Sequence, residues 1–253
     1  MWIDSHAHLD DPKFAGDLES VIARAREAGV ERIVTVGTGH ESSRAALAIA
    51  SDHSGIFSTV GCHPHEADAV DAGEVLCWLT ELGADPKVVG VGETGLDAFK
   101  KFSTPENQRR LFLAHLAAAR ALSKPVVIHC RDAHDECIRV LEADPPSKGG
   151  VIHCFSGDAG HARRYLDLGF VLSIAGPVTY PNAGGFREVV RALPPDRLMV
   201  ETDCPCLTPQ AHRGRRNEPA YVRLTGEFVA DLLGRRDFEA VSSRTASDVF
   251  GLP

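Results

Sequence analysis

Short apolar segments alternate with longer amphipathic segments along the whole chain, and this alternation limits the possible folds more than any other feature. Each apolar segment is short and many are bounded by glycine, as is typical of strands buried on both faces of a parallel sheet. We predict strands at residues 2–8, 31–37, 56–62, 87–93, 125–131, 149–155, 170–175 and 197–203. We predict helices at residues 17–28, 41–52, 73–82, 104–121, 134–143, 159–168, 184–193, 218–234 and 237–249.

Eight strand–helix repeats joined by short loops predict an α/β fold, a single closed (β/α)8 TIM barrel. The length of 253 residues suits one such barrel. No linker or low-complexity segment divides the chain, so we expect one hydrolase-type barrel domain over residues 1–253. A doubly wound open sheet is the competing α/β fold.

The charge balance limits the possible partners. Lysine and arginine total 27, aspartate and glutamate total 35, and the net charge of −8 provides no global positive field for polyanions. Any contact with nucleic acid must therefore be local. No apolar segment approaches the roughly 20 residues of a membrane-spanning helix, and the N-terminus does not resemble a signal peptide. The 7 cysteines are scattered, so we expect reduced thiols and a cytoplasmic protein.

Histidine and acidic residues are concentrated at the ends of the predicted strands. His6 and His8 end the first strand and lie two residues apart, so both side chains point the same way. The carboxyl ends of barrel strands meet on one face, where active sites lie. We therefore expect six residues to form one cluster: His6, His8, Glu93, His129, His153 and Asp203.

These six side chains offer imidazole and carboxylate ligands, which suit divalent transition metals such as zinc or manganese. Six strong ligands exceed the number that one tetrahedral ion uses, so the cluster predicts two neighbouring ions bridged by one carboxylate. Glu93 comes from the middle of the strand order and is the predicted bridge. The alternative interpretation is that the histidines are hydrogen-bonded core or rim residues.

Seven motifs along the chain resemble the signatures of the TatD family. They are DSHAHLD (4–10), GCHPH (61–65), GETGLD (92–97), IHCRDA (128–133), HCFSG (153–157), ETDCP (201–205) and RGRRNEP (213–219). The resemblance implies a magnesium- or manganese-stimulated deoxyribonuclease, often with 3′–5′ exonuclease activity. It also implies one metal site from His6, His8, Glu93 and Asp203, and a second from Glu93, His129 and His153.

The sequence departs from the family pattern in two places. The family usually has an aromatic residue directly after Gly-Leu-Asp, but here Ala98 stands there and Phe99 follows. Family members commonly have Ser-Pro-Tyr after the catalytic aspartate, but here the residues are Cys204, Pro205 and Cys206. Both changes remove an aromatic from the rim and weaken the expectation of base stacking there. Cys204 as an additional metal ligand is a minor alternative.

Further residues near the predicted strand ends could bind a substrate. His63 and His65 follow the third strand and could contact a phosphate or a leaving group, or could only shape the loop around Pro64. Arg131 follows the fifth strand, and its planar guanidinium matches the geometry of a phosphate. An ion pair of Arg131 with Asp132 or with another carboxylate at the rim is the alternative.

A basic segment follows the last predicted strand. Arg213, Arg215 and Arg216 could act as a substrate clamp or as solvated loop charges. We interpret Asn217 as the cap of the helix that follows. Phe155 could stack on a base, but packing in the core is the favoured interpretation.

Together these features predict hydrolysis of DNA phosphodiester bonds, from the 3′ end of a single strand or a frayed end, by a monomeric enzyme. Two divalent ions (Mg²⁺, Mn²⁺ or Zn²⁺) would produce the attacking hydroxide, with Asp203 as the general base. A small-molecule amidohydrolase or lactonase is the rival, although many such binuclear enzymes use a carboxylated lysine where Glu93 stands. A D-aminoacyl-tRNA deacylase and a non-catalytic metal-binding or scaffold protein are the remaining alternatives.

Overall fold

The computed structural model describes residues 1–253, and all eight predicted strands are present. The strands pair in parallel and in chain order within one eight-stranded sheet, which confirms the barrel and excludes the doubly wound alternative. Their bounds are β1 Trp2–Ala7, β2 Val30–Val36, β3 Ile56–Val60, β4 Val88–Asp97, β5 Val126–Arg131, β6 Gly150–Ile152, β7 Phe170–Ile174 and β8 Leu198–Val200.

The sheet closes where the segment after β8 meets β1. The backbone N–H of Asp203 donates to the carbonyl of His6 at 2.9 Å, and the N–H of His8 donates to the carbonyl of Cys204 at 2.9 Å. These two hydrogen bonds hold the end of the last strand against the end of the first. As a result, residues separated by almost 200 positions in the chain are neighbours at the carboxyl end of the barrel.

Nine α-helices pack around the barrel, and side chains of the last one reach its interior. Their bounds are α1 Leu18–Glu27, α2 His40–Asp52, α3 Ala72–Gly83, α4 Pro105–Leu122, α5 His134–Ala143, α6 Ala159–Asp167, α7 Gly184–Arg191, α8 Val222–Leu233 and α9 Phe238–Phe250. None of these helices is both long and apolar enough to cross a membrane. All seven cysteines are free thiols.

The longest helix, α4, illustrates how local sequence determines where a helix begins and ends. The side chain of Thr104 accepts the backbone N–H of Asn107, and Pro105 occupies a first-turn position where no N–H is required. The helix ends at Ser123, which has a left-handed φ of 53°. These are the signals that a sequence can carry, and the predicted helix at 104–121 agrees with the structure within one residue at each end.

An apolar plug fills the inside of the barrel and supports the residues at its mouth. It consists of 12 buried residues, with at least one from every strand: Ile3, Val34, Val36, Phe57, Val89, Val127, Val151, Val171, Met199, Ala246, Phe250 and Leu252. Val127 and Val151 lie two residues before His129 and His153. These histidines therefore also point into the barrel, one layer closer to its carboxyl end. The apolar plug therefore lies directly beneath the polar cluster.

Three strand ends differ from the prediction in a way that affects the site. β4 continues to Asp97 because its last residues pair with the end of β5, so Glu93 lies within the strand instead of ending it. β6 and β8 are shorter than predicted, so His153 and Asp203 lie just beyond them. Asp203 has a left-handed φ of 54°, which is incompatible with continuing a strand.

Candidate metal centre

Glu93 lies at the centre of the cluster, and its two carboxylate oxygens face different histidines. Its Oε2 atom lies 3.4 Å from Nε2 of His6 and 3.6 Å from Nε2 of His8. Its Oε1 atom lies 2.9 Å from Nε2 of His153 and 3.1 Å from Nδ1 of His129. The carboxylate therefore stands between two pairs of histidines, one from β1 and one from the ends of β5 and β6.

Asp203 lies beside the pair of histidines from β1. Its Oδ1 atom is 3.2 Å from Nε2 of His8 and 3.7 Å from Nε2 of His6, and these two nitrogens are 3.3 Å apart. The side chain of His6 is fully buried, whereas that of Asp203 remains 17% exposed. The cluster is therefore closed at its floor and open to solvent at Asp203.

Two of these histidines are oriented by hydrogen bonds on the far side of the ring. Nδ1 of His8 donates to the carbonyl of Val36 at 3.0 Å, which leaves Nε2 facing the cluster. Nε2 of His129 lies 3.1 Å from Oδ2 of Asp97, which leaves Nδ1 facing Glu93. Such outer hydrogen bonds are typical of histidines that bind metals, because they select the tautomer and hold the ring in position.

Glu201 plays a similar part for His153. It is fully buried, its Oε1 atom accepts the backbone N–H of Cys154 at 2.7 Å, and the same oxygen lies 3.3 Å from Nδ1 of His153. Neither Glu201 nor Asp97 is among the site residues predicted from the sequence. Both lie in recognised motifs, Asp97 at the end of GETGLD and Glu201 at the start of ETDCP, and their acidic character was the available signal.

The donor set fits divalent cations. Ligand atoms within 4.8 Å of one another form three groups: His6, His8 and Asp203; His6, Glu93 and His153; and His63, His65 and His129. Imidazole nitrogens and carboxylate oxygens converge there without a lysine or arginine to balance the carboxylates, which is the arrangement expected around a cation. Cys204 is buried and belongs to none of these groups.

The electrostatics of the cluster keep its two carboxylates ionised. Burial alone would raise the pKa of Glu93, but His153 and His63 lower it well below its ordinary value. Burial likewise opposes ionisation of Asp203, yet the hydrogen bond and charge of His8 lower its pKa. Burial lowers the pKa of His6, whereas the carboxylates outweigh burial at three other rings, where they raise the pKa of His8 to about 9 and also raise those of His129 and His153. These three rings would release a proton when a cation binds. Ionised carboxylates beside a neutral imidazole are the forms in which these groups coordinate metals.

The two histidines after β3 reach the same cluster. Nε2 of His63 lies 3.4 Å from Oε1 of Glu93, and Nδ1 of His63 accepts the backbone N–H of His65 at 3.1 Å. Nε2 of His65 lies 2.8 Å from Oδ2 of Asp97. His63 thus approaches Glu93 about as closely as His6 and His8 do. His65 instead contacts Asp97, which lies outside the six predicted ligands.

Arg131 and Arg213 each stack on an aromatic ring at the rim. The guanidinium carbon of Arg131 lies 3.9 Å from the ring centroid of Phe99, and Arg131 makes no ion pair with Asp132. The guanidinium carbon of Arg213 lies 4.0 Å from the ring centroid of Tyr180. Both arginines are exposed and have no carboxylate partner, so their donors remain available to an anion.

Arg216 is bound within the protein. Its Nη2 atom lies 2.7 Å from Oδ2 of Asp17, and its Nη1 atom donates to the carbonyl of Lys13 at 2.6 Å. This ion pair lowers the pKa of Asp17 to about 2. Arg216 therefore anchors the segment after β8 to the segment before α1, and the basic segment offers a substrate fewer free cations than its composition indicates.

Two further sequence interpretations have clear outcomes. Phe155 is buried in the core, as favoured. The interpretation of Asn217 as a helix cap is wrong. Its side-chain amide donates to the carbonyls of Thr202 at 2.9 Å and Cys206 at 2.6 Å, and the α-helix begins only at Val222. Asn217 braces the loop that carries Asp203 because the folded loop offers it two carbonyls that the local sequence does not reveal.

Comparison with known proteins places this geometry in context. The sequence model of a family described as "TatD related DNase" matches residues 3–251. An uncharacterized metal-dependent hydrolase of Bacillus subtilis, YabD, is 41% identical over 98% of this chain and 97% of its own length. The 3′-5′ ssDNA/RNA exonuclease TatD of Klebsiella pneumoniae is 38% identical over 98% of this chain and 97% of its own. The crystal structure of YjjV, a TatD homologue from Escherichia coli, has a TM-score of 0.92 and 31% identity, covering 100% of this chain and 98% of that one.

Proposed function

Since the chain belongs to the TatD-related DNase family, whose members are metal-dependent hydrolases, we propose that it cleaves phosphodiester bonds of single-stranded DNA from the 3′ end. The observation that carries the proposal is the position of Glu93, with one carboxylate oxygen facing His6 and His8 and the other facing His129 and His153. A carboxylate so placed can bridge two cations, as phosphodiester hydrolysis commonly requires.

His6, His8, Asp203 and Glu93 would hold one ion. His129, His153 and Glu93 would hold the second. Divalent ions such as Mg²⁺, Mn²⁺ or Zn²⁺ would there lower the pKa of a water molecule and neutralise the charge that develops on the phosphoryl oxygens. The hydrogen bonds that the far sides of His8 and His129 donate to Val36 and Asp97 support this assignment, because they turn the inner nitrogens toward the cluster.

Asp203 is the general base of the proposed reaction. Its carboxylate lies at the open side of the cluster, where water can reach it, and its lowered pKa keeps it ionised and able to accept a proton near neutral pH. Glu93 is buried and surrounded by histidines, so its role is to hold the ions. This division of roles follows from exposure, since only the partly exposed carboxylate can exchange protons with solvent.

His63, His65, Arg131 and Arg213 are the proposed contacts of the substrate. His63 lies beside Glu93, where it can donate to a phosphoryl oxygen or a leaving group. Arg131 and Arg213 are exposed and free of carboxylates, and a guanidinium can bind a phosphate through two parallel hydrogen bonds. His65 is the outermost of the proposed contacts, with a side chain 25% exposed, and its hydrogen bond with Asp97 also fixes the loop that presents His63.

The preference for a chain end rests on the shape and charge of the mouth. The cluster lies within the barrel mouth, above the apolar plug and among the loops that follow the strands, which admits a flexible end more readily than a rigid duplex. With a net charge of −8 the protein has no long cationic track for distant phosphates. The name of the relative from Klebsiella pneumoniae, 3′-5′ ssDNA/RNA exonuclease, supports the polarity.

A substrate panel tests the proposal. Linear single strands labelled at either end, circular single strands and closed duplex are incubated with the enzyme and Mg²⁺, Mn²⁺ or Zn²⁺, with Asp203→Asn as the matched inactive control. We expect stepwise shortening of linear strands from the 3′ end and little cleavage of circles. Equal cleavage of circles would contradict the end preference. Hydrolysis of an amide, lactone or D-aminoacyl ester, without any cleavage of DNA or RNA, would replace the proposed function with the corresponding alternative.

A further inference from the structure

Two phenylalanines on the loop after β4 are exposed although they lie beside the metal centre. The Phe99 side chain is 54% exposed and that of Phe102 is 63% exposed, and Met1 is the only other large apolar side chain with comparable exposure. All other aromatic side chains of the protein are at least partly buried. Exposed aromatic rings on one loop at an active-site mouth are typical of a surface that binds a ligand.

Cationic groups surround the two rings. The guanidinium of Arg131 lies over Phe99, with its carbon 3.9 Å from the ring centroid. Nζ of Lys100 lies 6.0 Å from the centroid of Phe99 and 5.9 Å from that of Phe102. An apolar face flanked by cations matches a nucleotide, in which a flat base is joined to an anionic phosphate. An apolar peptide or an uncharged acyl chain fits this surface less well, because it would leave the cations without an anionic partner.

A network of hydrogen bonds connects this loop to the metal centre. Oδ1 of Asp97 accepts the backbone N–H groups of Phe99 at 2.9 Å and Lys100 at 2.7 Å. Oδ2 of the same carboxylate faces Nε2 of His129 at 3.1 Å and Nε2 of His65 at 2.8 Å. The side chain of Asp97 therefore positions both the aromatic loop and the candidate metal ligand His129. This fixes where the loop lies relative to His129.

Phe102 is also placed by the histidine loop. Its ring meets the ring of His65 edge to face, with centroids 4.9 Å apart. The next residue, Ser103, donates from its hydroxyl to the carbonyl of His65 at 2.7 Å, and Gln108 donates to the carbonyl of Ser103 at 2.9 Å. The exposed rings thus stand on a well-braced loop, which reduces the entropy lost when a ligand binds.

We propose that Phe99 and Phe102 form a stacking platform for the unpaired bases next to the scissile phosphate, with Arg131 and Lys100 contacting the neighbouring phosphates. This inference rests on the proposed function and deepens it by stating how single strands are selected. Bases in a duplex have no free face to offer, whereas unpaired bases of any sequence do. The departure at Ala98 weakened the expectation of stacking at this rim, but Phe99 and Phe102 supply the aromatic surface instead.

A double-mutant cycle between side chain and base tests the platform. The enzyme and its Phe99→Ala and Phe102→Ala variants cleave a single-stranded oligodeoxynucleotide and a matched one with abasic sites at its three 3′-terminal positions. On the normal strand we expect each variant to raise KM by about 5- to 100-fold with little change in kcat. On the abasic strand the variants and the wild type should have similar KM values. Equal effects of the variants on both strands, or no effect on either, would overturn the platform.

Matched variants separate stacking from loop damage and from charge. Phe99→Trp should retain the low KM, whereas Phe99→Leu, which keeps an apolar side chain without an aromatic face, should behave more like Phe99→Ala. Arg131→Ala should raise KM on both strands because both contain phosphates. Arg139→Ala removes an exposed cation paired with Glu136 on α5 and should change neither. A Phe99→Leu variant with wild-type KM would contradict a specific role for the ring face.

Binding without turnover distinguishes failure of the platform from failure of the nuclease proposal. The metal-loaded Asp203→Asn variant is titrated with oligonucleotides that carry 2-aminopurine at successive 3′-terminal positions. Stacking predicts quenched fluorescence at one or two of these positions, and the quenching should be lost when Phe99→Ala and Phe102→Ala are added. If the wild type cleaves single strands but no position is quenched, the stacking platform is contradicted and the nuclease proposal is retained. If quenching occurs without any cleavage by the wild type, the base-stacking surface is retained and the nuclease proposal is contradicted.

Discussion

Nε2 of His129 lies 3.1 Å from Oδ2 of Asp97, and this contact fixes which nitrogen of the ring faces the metal centre. Burial alone would raise the pKa of Asp97, but hydrogen bonds from His129, Lys100 and His65 lower it below its ordinary value. An ionised carboxylate can only accept hydrogen bonds, so Nε2 carries a proton, and Nδ1, 3.1 Å from Oε1 of Glu93, is the nitrogen that faces the metal centre.

Asp97→Asn should weaken metal binding chiefly at the site of His129. The amide oxygen can still accept the N–H groups of Phe99 and Lys100, so the loop should keep its shape, while the charge that orients His129 is lost. We expect about a 10- to 100-fold loss of affinity for one of two ions. Competition titration with a chromogenic chelator measures it, with Asp68→Asn, at an exposed aspartate, as the control. Unchanged affinity for both ions would show that Asp97 does not tune the centre.

Glu93→Ala should impair both ions, because each of its carboxylate oxygens faces a different group of ligands. His129→Ala should weaken chiefly one ion. Elemental analysis of gently purified protein and titration of the metal-free variants measure the number of ions bound, expected to be about two in the wild type. Two ions bound to Glu93→Ala as tightly as to the wild type would rule out the bridge.

Asp203→Asn should preserve the fold, since the two side chains are nearly the same size. It removes the proton acceptor and one charged ligand, and kcat should fall by roughly 10²-fold or more at saturating metal. Steady-state kinetics on a chromogenic phosphodiester measures this fall, with circular dichroism as the check on folding. A near-normal kcat would assign the base to another residue, with His63 as the first candidate because it lies 3.4 Å from Glu93.

The affinity for single-stranded DNA should depend only weakly on salt. If Arg131, Arg213 and Lys100 neutralise two or three phosphates, the slope of log K against log salt should be near −2, because each phosphate on a single strand contributes about −0.7. Arg131→Ala should make the slope shallower by about 0.7. Arg216→Ala should leave it unchanged and lower thermal stability, since Arg216 is paired with Asp17. A slope much steeper than −4 would indicate a cationic track that we have not identified.

His115 should make the protein less stable in mild acid. The ring is buried, its Nε2 accepts the backbone N–H of Cys62 at 2.9 Å, and burial lowers its pKa from 6.5 to about 4. Between pH 6.5 and about 4 the unfolded chain binds a proton that the folded chain does not, so stability falls as the pH falls. The slope from this residue should approach about 1.4 kcal/mol per pH unit.

His115→Gln isolates that contribution, because glutamine can accept the same N–H but does not titrate. Urea unfolding at pH 4.5 to 7 in excess chelator, so that metal release contributes nothing, should show a shallower pH dependence for this variant. His40→Gln, on the exposed start of α2, serves as the control. Identical pH dependence of the wild type and His115→Gln would contradict a depressed pKa for His115.

The fold and the clustering of the six histidine and acidic residues could be predicted from the sequence because the relevant signals are local. Whether a segment is a buried strand or an amphipathic helix depends on residues within about ten positions, and eight such repeats leave few ways to close a sheet. The two-residue spacing of His6 and His8 likewise determines that both point the same way. A set of histidine and acidic residues at strand ends then leads to one cluster, since the barrel brings those ends together.

Only the tertiary structure decided the partners of these side chains. Arg216 pairs with Asp17 across 199 positions, Glu201 lies against His153, and Phe99 is left exposed under Arg131. None of these contacts follows from a periodic pattern, because each depends on how two distant loops approach each other after the barrel has closed. The path of a loop is determined by a few specific hydrogen bonds, such as those that Asp97 accepts, and their donors are known only once the chain is folded.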